Sequence, residues 1–304
     1  MMLTEKVAEN IYILDTEMLG LPRYGSLYIL KTPRPTIIET GFSHTLEKTL
    51  SALNELKIRP EDVAYIIPTH VHLDHAGGTG DLAHACPNAR VVIHEQGAPH
   101  LVDPTKLLES VKRAVGPMFG FYGTLRPTPP ERLIVVKGGE SLDLGGGYQL
   151  DVLHAPGHAP HQICLYERKT GGLFTADAAG IYRPWAAGLI LTTPPPAFHL
   201  EQSLETLERL KALAPRVLFY THWGAHTQIK LLDDYAEMLR AWVADVEAQK
   251  RRLGDDAAVK RYFVEREGPR FQEHYPEPIL RGEIEMNTQG ILLYLKRVRG
   301  FTET

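Results

Sequence analysis

His70-Val71-His72-Leu73-Asp74-His75, set between the apolar run Val63-Ala64-Tyr65-Ile66-Ile67 and the small residues Ala76-Gly77-Gly78, decides how this 304-residue chain is read. A short buried strand stops at Pro68-Thr69, and four metal-ligand side chains then crowd into a tight strand-to-helix turn. Residues two apart in extended backbone project to the same side, so His70 and His72 are expected to point one way. The turn carries Asp74 and His75 round to the other side. One imidazole pair suits one cation, and a carboxylate with an imidazole suits a second.

A single turn cannot close two coordination spheres, because zinc takes about four ligands per ion. Three later segments offer the remainder: Ala155-Pro156-Gly157-His158, Phe174-Thr175-Ala176-Asp177 and Tyr220-Thr221-His222-Trp223-Gly224. Each follows an apolar run, so His158, Asp177 and His222 all sit at strand ends. Taken singly, each is an ordinary turn residue; their shared placement on one rim of a sheet makes them candidates. Spacing alone leaves His154 and His158 as alternatives.

Composition narrows the class. With 43% hydrophobic and 23% charged residues the chain can bury a sizeable core in one large domain. A net charge of -4 and the lack of any Lys/Arg-rich stripe argue against a nucleic-acid partner. No window approaches the roughly 18 apolar residues that span a bilayer, and Met1 to Asp15 has no signal-like pattern, so no membrane partner and a cytoplasmic location are expected. Cys86 and Cys164 form no CxxC and are expected to be small buried hydrophobes.

Strands are expected at Asn10 to Leu14, Ser26 to Leu30, Thr36 to Ile38, Val63 to Ile67, Arg90 to Ile93, Leu133 to Val136, Gln149 to Leu153, Ile163 to Tyr166, Leu173 to Thr175 and Val217 to Tyr220. Helices are expected from Leu46 to Leu56, after Asp103-Pro104, and from about Leu200 to Leu213. Residues 96 to 130, with Met118-Phe119-Gly120-Phe121-Tyr122, read as a lid insertion. Beyond His222, Leu231, Leu232, Tyr235, Met238, Leu239, Trp242, Val243 and Val246 form a 3.6-residue stripe through a long helix. Its leading reading is a core contact; a homodimer seam is the other. Asn287 to Val298 is expected to form a closing helix.

HVHLDHAGG, APGHAPH, LFTADAAG and THWG, in this order, resemble the four signature segments of the metallo-beta-lactamase superfamily over roughly residues 10 to 225. The resemblance implies an α/β fold, an αβ/βα four-layer sandwich, with a catalytic domain over 1–225 and a helical extension over 226–304 packed on it. It implies two divalent ions, zinc first and iron or manganese next. His70, His72 and His158 would hold one ion, Asp74, His75 and His222 the other, and Asp177 would bridge them. It also selects His158 over His154. Two positions depart from the family pattern. Glu39-Thr40-Gly41 stands where the family has Asp-Thr-Gly, placing Glu39 behind the ligands with one extra methylene. His161 stands where Gly or Ser is usual.

A bridging hydroxide formed between such ions would make the protein a hydrolase, with Asp74 both ligating and steering the proton. True beta-lactamase activity is disfavoured, since those enzymes are exported and generally lack the bridging Asp. The seven-residue set instead resembles that of glyoxalase II, lactonase and ribonuclease Z-type members. A small thioester, ester or lactone leads as substrate, because Phe119, Tyr122 and the loop Tyr182-Arg183-Pro184-Trp185 offer aromatic walls with one cation, and His161 stands close by. The alternatives are a phosphodiesterase or nuclease, and an iron-dependent oxidoreductase of the persulfide dioxygenase or flavodiiron kind. The latter usually carries a Glu in the first motif.

Overall fold

Ser26-Leu27-Tyr28-Ile29-Leu30 is buried along its whole length, as a strand between two neighbours and facing a second layer must be. In this computed structural model, which describes residues 2–116, 119–183 and 188–301, the apolar runs of the first half form one seven-stranded sheet. Its members run in chain order: β1 (Thr4–Ala8), β2 (Ile11–Asp15), β3 (Ser26–Leu30), β4 (Thr36–Ile38), β5 (Tyr65–Ile67), β6 (Arg90–His94) and β7 (Leu133–Val136). The pairs from β1 to β4 are antiparallel and those from β4 to β7 parallel. The parallel pairs need crossovers, which bring in the helices α1 (Leu46–Glu55), α2 (Leu73–Ala76) and α3 (Thr79–Ala85), then α4 (Ala98–Val102), α5 (Thr105–Val115) and α6 (Phe119–Tyr122).

A second sheet of six strands uses β8 (Ser141–Gly145), β9 (Tyr148–His154), β10 (Ile163–Glu167), β11 (Gly172–Ala176), β14 (Val217–Tyr220) and β15 (Ala225–His226), in the order β15-β14-β11-β10-β9-β8. Alternation on the strands decides what meets between the sheets. Ile11 and Ile13, Tyr28 and Leu30, and Ile38 and Ile67 come from the first; Leu142 and Leu144, Leu150 and Val152, and Ile163 and Leu165 come from the second, all in one core cluster. Each such side chain contributes roughly 1.5–3 kcal/mol when taken from water. Tyr28 reaches across the core, edge-on to Phe174 at 5.2 Å, and donates its hydroxyl proton to the Tyr220 carbonyl at 2.6 Å.

The chain divides into two compact units. The first, Met1–Ala155 with His161–Ala176 and Ala214–Gln228, contains both of these sheets. The second, Pro156–Pro160 with Asp177–Leu213 and Ile229–Thr304, contains the hairpin β12 (Ile181–Arg183) and β13 (Gly188–Ile190) and the helices α7 (Leu200–Ala212), α8 (Leu231–Leu253), α9 (Asp256–Phe271) and α10 (Glu277–Arg299). Here α8, α9 and α10 pack on one another and α7 packs on α8. Much of the expected α8 stripe is buried, with Leu232, Tyr235, Leu239, Val243 and Val246 inside, so it serves as a core contact of its own unit.

Several elements go beyond the expectation. The closing helix begins at Glu277, ten residues before Asn287. The charged stretch after Asp255 is a helix, α9, capped by the Asp255 carboxylate accepting from the Ala258 N–H at 2.8 Å. Both cysteines are buried thiols, and Cys164 donates to the Thr175 carbonyl at 3.2 Å. Among the described residues, no helix is long and apolar enough to cross a membrane. Met118 of the expected lid cluster and Pro184 and Trp185 of the Tyr182 loop lie outside the described residues.

Candidate metal centre

The first unit gathers five of the seven expected ligands where strands end. After β5 the backbone bends through residues 69–72 instead of staying extended, and α2 starts at Leu73 with His72 as its N-cap residue. The two rings still converge, with His70 Nε2 and His72 Nδ1 2.8 Å apart. Gly77 and Gly78 follow because a loop passes close: a Cβ on Gly78 would stand 2.7 Å from the Thr40 carbonyl, and one on Gly77 3.0 Å from the Phe42 Cα. That same loop takes up the turn, Thr40 donating from both its N–H and its hydroxyl to the His75 carbonyl.

Glu39 organises the ligands. It is fully buried, its backbone lies in the left-handed region at φ 67°, and its Oε1 accepts from the Thr69 hydroxyl at 2.7 Å, His75 Nδ1 at 2.9 Å and the Thr221 hydroxyl at 3.0 Å. Oε2 accepts from the Thr69 N–H. Having given its proton to Glu39, the Thr69 hydroxyl is left to accept from His70 Nδ1, 3.1 Å away. His222 Nδ1 faces the Tyr24 carbonyl at 2.9 Å, and a carbonyl can only accept. In His70, His75 and His222, therefore, the proton of the neutral ring sits on Nδ1 and the lone pair on Nε2.

Two of those lone pairs, on His75 and His222, share a destination. His75 Nε2 and His222 Nε2 each lie 3.5 Å from Asp74 Oδ2, and the three ligand atoms fall within 4.8 Å of one another. Two nitrogen lone pairs aimed at a carboxylate oxygen repel unless a cation lies between them, and an N,N,O set of this kind fits a divalent transition metal. The Asp74 side chain is 24% exposed while His75 and His222 are nearly sealed, so Asp74 is the member of the group that meets solvent.

In the second unit, His158 Nε2 stands 3.3 Å from Asp177 Oδ2, and its Nδ1 lies 3.4 Å from the Thr192 hydroxyl. Burial first, with the Asp177 charge adding to it, raises the Tyr235 phenol above its ordinary value, so it keeps its proton and donates it to the Thr192 carbonyl. The turn before His158 requires glycine: Gly157 has φ +132° and passes so near α7 that a Cβ would meet the Ser203 backbone N at 2.5 Å.

The other candidates are placed as follows. His154 stacks on His94 with ring centres 4.2 Å apart. His161, in the first unit, has its ring 6.2 Å from His70, 6.3 Å from His72 and 6.4 Å from His100 of α4. Tyr122 packs on Phe42 at 5.2 Å, Phe119 is half-buried, and Tyr182 is half-buried on β12 in the second unit. Thr69, Thr221, Tyr24 and Thr192, which hold the rings, were not anticipated. One signal was available: Thr-His recurs at 69–70 and 221–222.

Fold and site together define a class. A family model described as the metallo-beta-lactamase superfamily matches residues 22–222, and the chain belongs to that superfamily. It is similar to the metallo-beta-lactamase fold-containing protein ST1585 of Sulfurisphaera tokodaii, 28% identical over 223 residues that cover 72% of this chain and 79% of that protein. The solved structure of ST1585, an archaeal metallo-beta-lactamase superfamily protein from Sulfolobus tokodaii, has the same fold, with TM-score 0.71 at 23% identity over 94% of this chain and 99% of the other. An N-acyl homoserine lactonase of Bacillus sp is 26% identical over 246 residues, 70% of this chain and 86% of that protein. A putative diflavin flavoprotein A 1 of Nostoc sp. is 29% identical over 156 residues, which make up 51% of this chain but only 23% of that protein.

Proposed function

We propose that this protein is a binuclear, zinc-dependent hydrolase of a small ester, thioester or lactone. The observation that carries the reading is the group Asp74, His75 and His222, whose two imidazoles are turned by Glu39 and Tyr24 so that both Nε2 lone pairs face one carboxylate oxygen. In this reading His70, His72, His158 and Asp177 would hold one ion, and Asp74, His75 and His222 the other. When bound, two such cations would bring the pKa of water toward neutrality and polarise the acyl carbonyl oxygen of the substrate.

The chain's own residues do the rest. Asp74, the solvent-touching carboxylate, accepts the proton of the attacking water and returns it to the leaving oxygen or sulfur. Glu39 keeps His75 in one tautomer, so the ring cannot act as the acid. His161, with its ring beside His70 and His72, is placed to position the substrate's acyl oxygen. Likeness to the N-acyl homoserine lactonase favours a lactone within this class.

A second reading, an iron-dependent oxidoreductase, is favoured by likeness to the diflavin flavoprotein. Metal analysis of purified protein, followed by a panel of lactones, thioesters and phosphodiesters, separates these readings. Two equivalents of zinc with lactone or thioester turnover support the proposal. Tightly held iron with no hydrolysis of any panel member overturns it.

A further inference from the structure

A groove with a volume of about 90 Å3 opens within the second unit, and none of the candidate metal ligands lines it. Leu189 of β13, Met238 and Trp242 of α8, Phe271 of α9 and Ile284 of α10 give it apolar walls. Its polar groups are mostly engaged. Glu283 pairs with the buried Arg183 at 3.3 Å, the Tyr275 hydroxyl accepts from the same guanidinium, and Glu267 pairs with Arg266 at 2.7 Å. Asn287 accepts from the Thr193 N–H at 2.7 Å and donates to the Leu191 carbonyl at 3.1 Å.

What remains at the rim is a donor. Arg270, its side chain 57% exposed, lies over the Phe271 ring at 5.2 Å and stands 4.0 Å from Glu267, a carboxylate already held closer by Arg266. An apolar cleft with a solvent-facing guanidinium at its rim suits a ligand that is apolar in body and an anionic acceptor at one end. We propose that this groove binds an apolar carboxylate, such as a medium-chain or aryl carboxylic acid. Its wall is continuous with the loop behind His158, since Asn287 holds Thr193, and the neighbouring Thr192 faces His158 Nδ1.

Calorimetric titration of the full, metal-loaded protein with decanoate, and with decanol as the uncharged match, tests the assignment. Decanoate is expected to bind saturably and at least about tenfold more tightly than decanol, the scale of one charge-assisted hydrogen bond. Ile284→Trp, which fills the groove, should weaken decanoate by about tenfold or more. Arg270→Gln, at an exposed position that leaves folding intact, should erase the preference for decanoate over decanol. Absence of saturable binding at millimolar decanoate, equal affinity for the two probes in the unaltered protein, or a preference that survives Arg270→Gln each overturns the proposal.

Discussion

The two units hold their ligand-type side chains by different physics. In the first, one buried carboxylate oxygen on Glu39 gathers Thr69, His75 and Thr221, and the rings take their tautomers from that charge. In the second, His158 Nε2 faces the Asp177 carboxylate at 3.3 Å, but the turn that carries the ring is held by neutral groups and by fit: a Thr192 hydroxyl at 3.4 Å from Nδ1, a Gly157 carbonyl accepting from the His199 N–H at 2.8 Å, and a Pro156 carbonyl accepting from the Thr206 hydroxyl at 2.8 Å. The first arrangement is electrostatic and the second steric. Changes of charge should therefore damage the former, and changes of volume the latter.

The largest effect is expected for Asp74→Asn, which keeps the shape and removes the base: turnover should fall by about 100-fold or more, as general acid–base losses do. If excess metal restores full turnover in that variant, Asp74 is a ligand and nothing else. Glu39→Gln removes the hub's charge, and metal affinity, measured by competition with a chromophoric chelator, should drop about 10 to 100-fold while saturating zinc returns most activity. A variant that stays inactive in excess zinc would show that Glu39 does more than orient rings. Gly157→Ala tests the steric side. The added methyl has no room against Ser203, so denaturant titration should show about 1–3 kcal/mol lost, the cost of overpacking, with His158 displaced and one metal equivalent weakened.

The smallest effect concerns pH. Burial, and then the ring of His154 stacked upon it, lowers the pKa of His94 below its ordinary value, although Glu95 and Glu140 pull the other way. The unfolded chain, with an imidazole pKa of about 6.5, therefore binds the proton first, and stability is lost as pH falls below that value toward the native one. His94→Gln should flatten the fall in melting temperature across that window. An unchanged slope would assign the acid sensitivity to other groups.

The candidate metal-binding groups were legible because they depend on residue type and on local placement at strand ends. Strands buried on both faces, such as β3 and β11, were legible as apolar runs. β1 was not, because Thr-Glu-Lys-Val-Ala at a sheet edge is largely exposed and carries no run. β8 was missed for a related reason, burying only Leu142 and Leu144 within five residues. α9 buries only Val259 and Phe263 in sixteen residues, too few to show a stripe. The hub lay beyond reach for another reason: Glu39 meets Thr69 and Thr221 across 30 and 182 residues, and a threonine gives no periodic signal. The residues 96–130 were read as an insertion with aromatic content, but nothing in that stretch foretold that Tyr122 packs on Phe42 while Phe121 is left 57% exposed.

The separation between Glu39 and Thr221 also has a meaning in time. At ribosomal rates of about 5–20 residues per second, the 182 residues between them take roughly 10 to 40 s to synthesise. During that interval the nascent chain already owns His70, His72, Asp74 and His75, yet the oxygen that aligns His75 still lacks its third donor and β14 has not yet joined the second sheet. An ion captured then would meet a partial and adjustable set of ligands. Emergence of Thr221-His222 completes the hub and adds His222 to the candidate group with Asp74 and His75, so the assembly of that group is tied to the synthesis of β14.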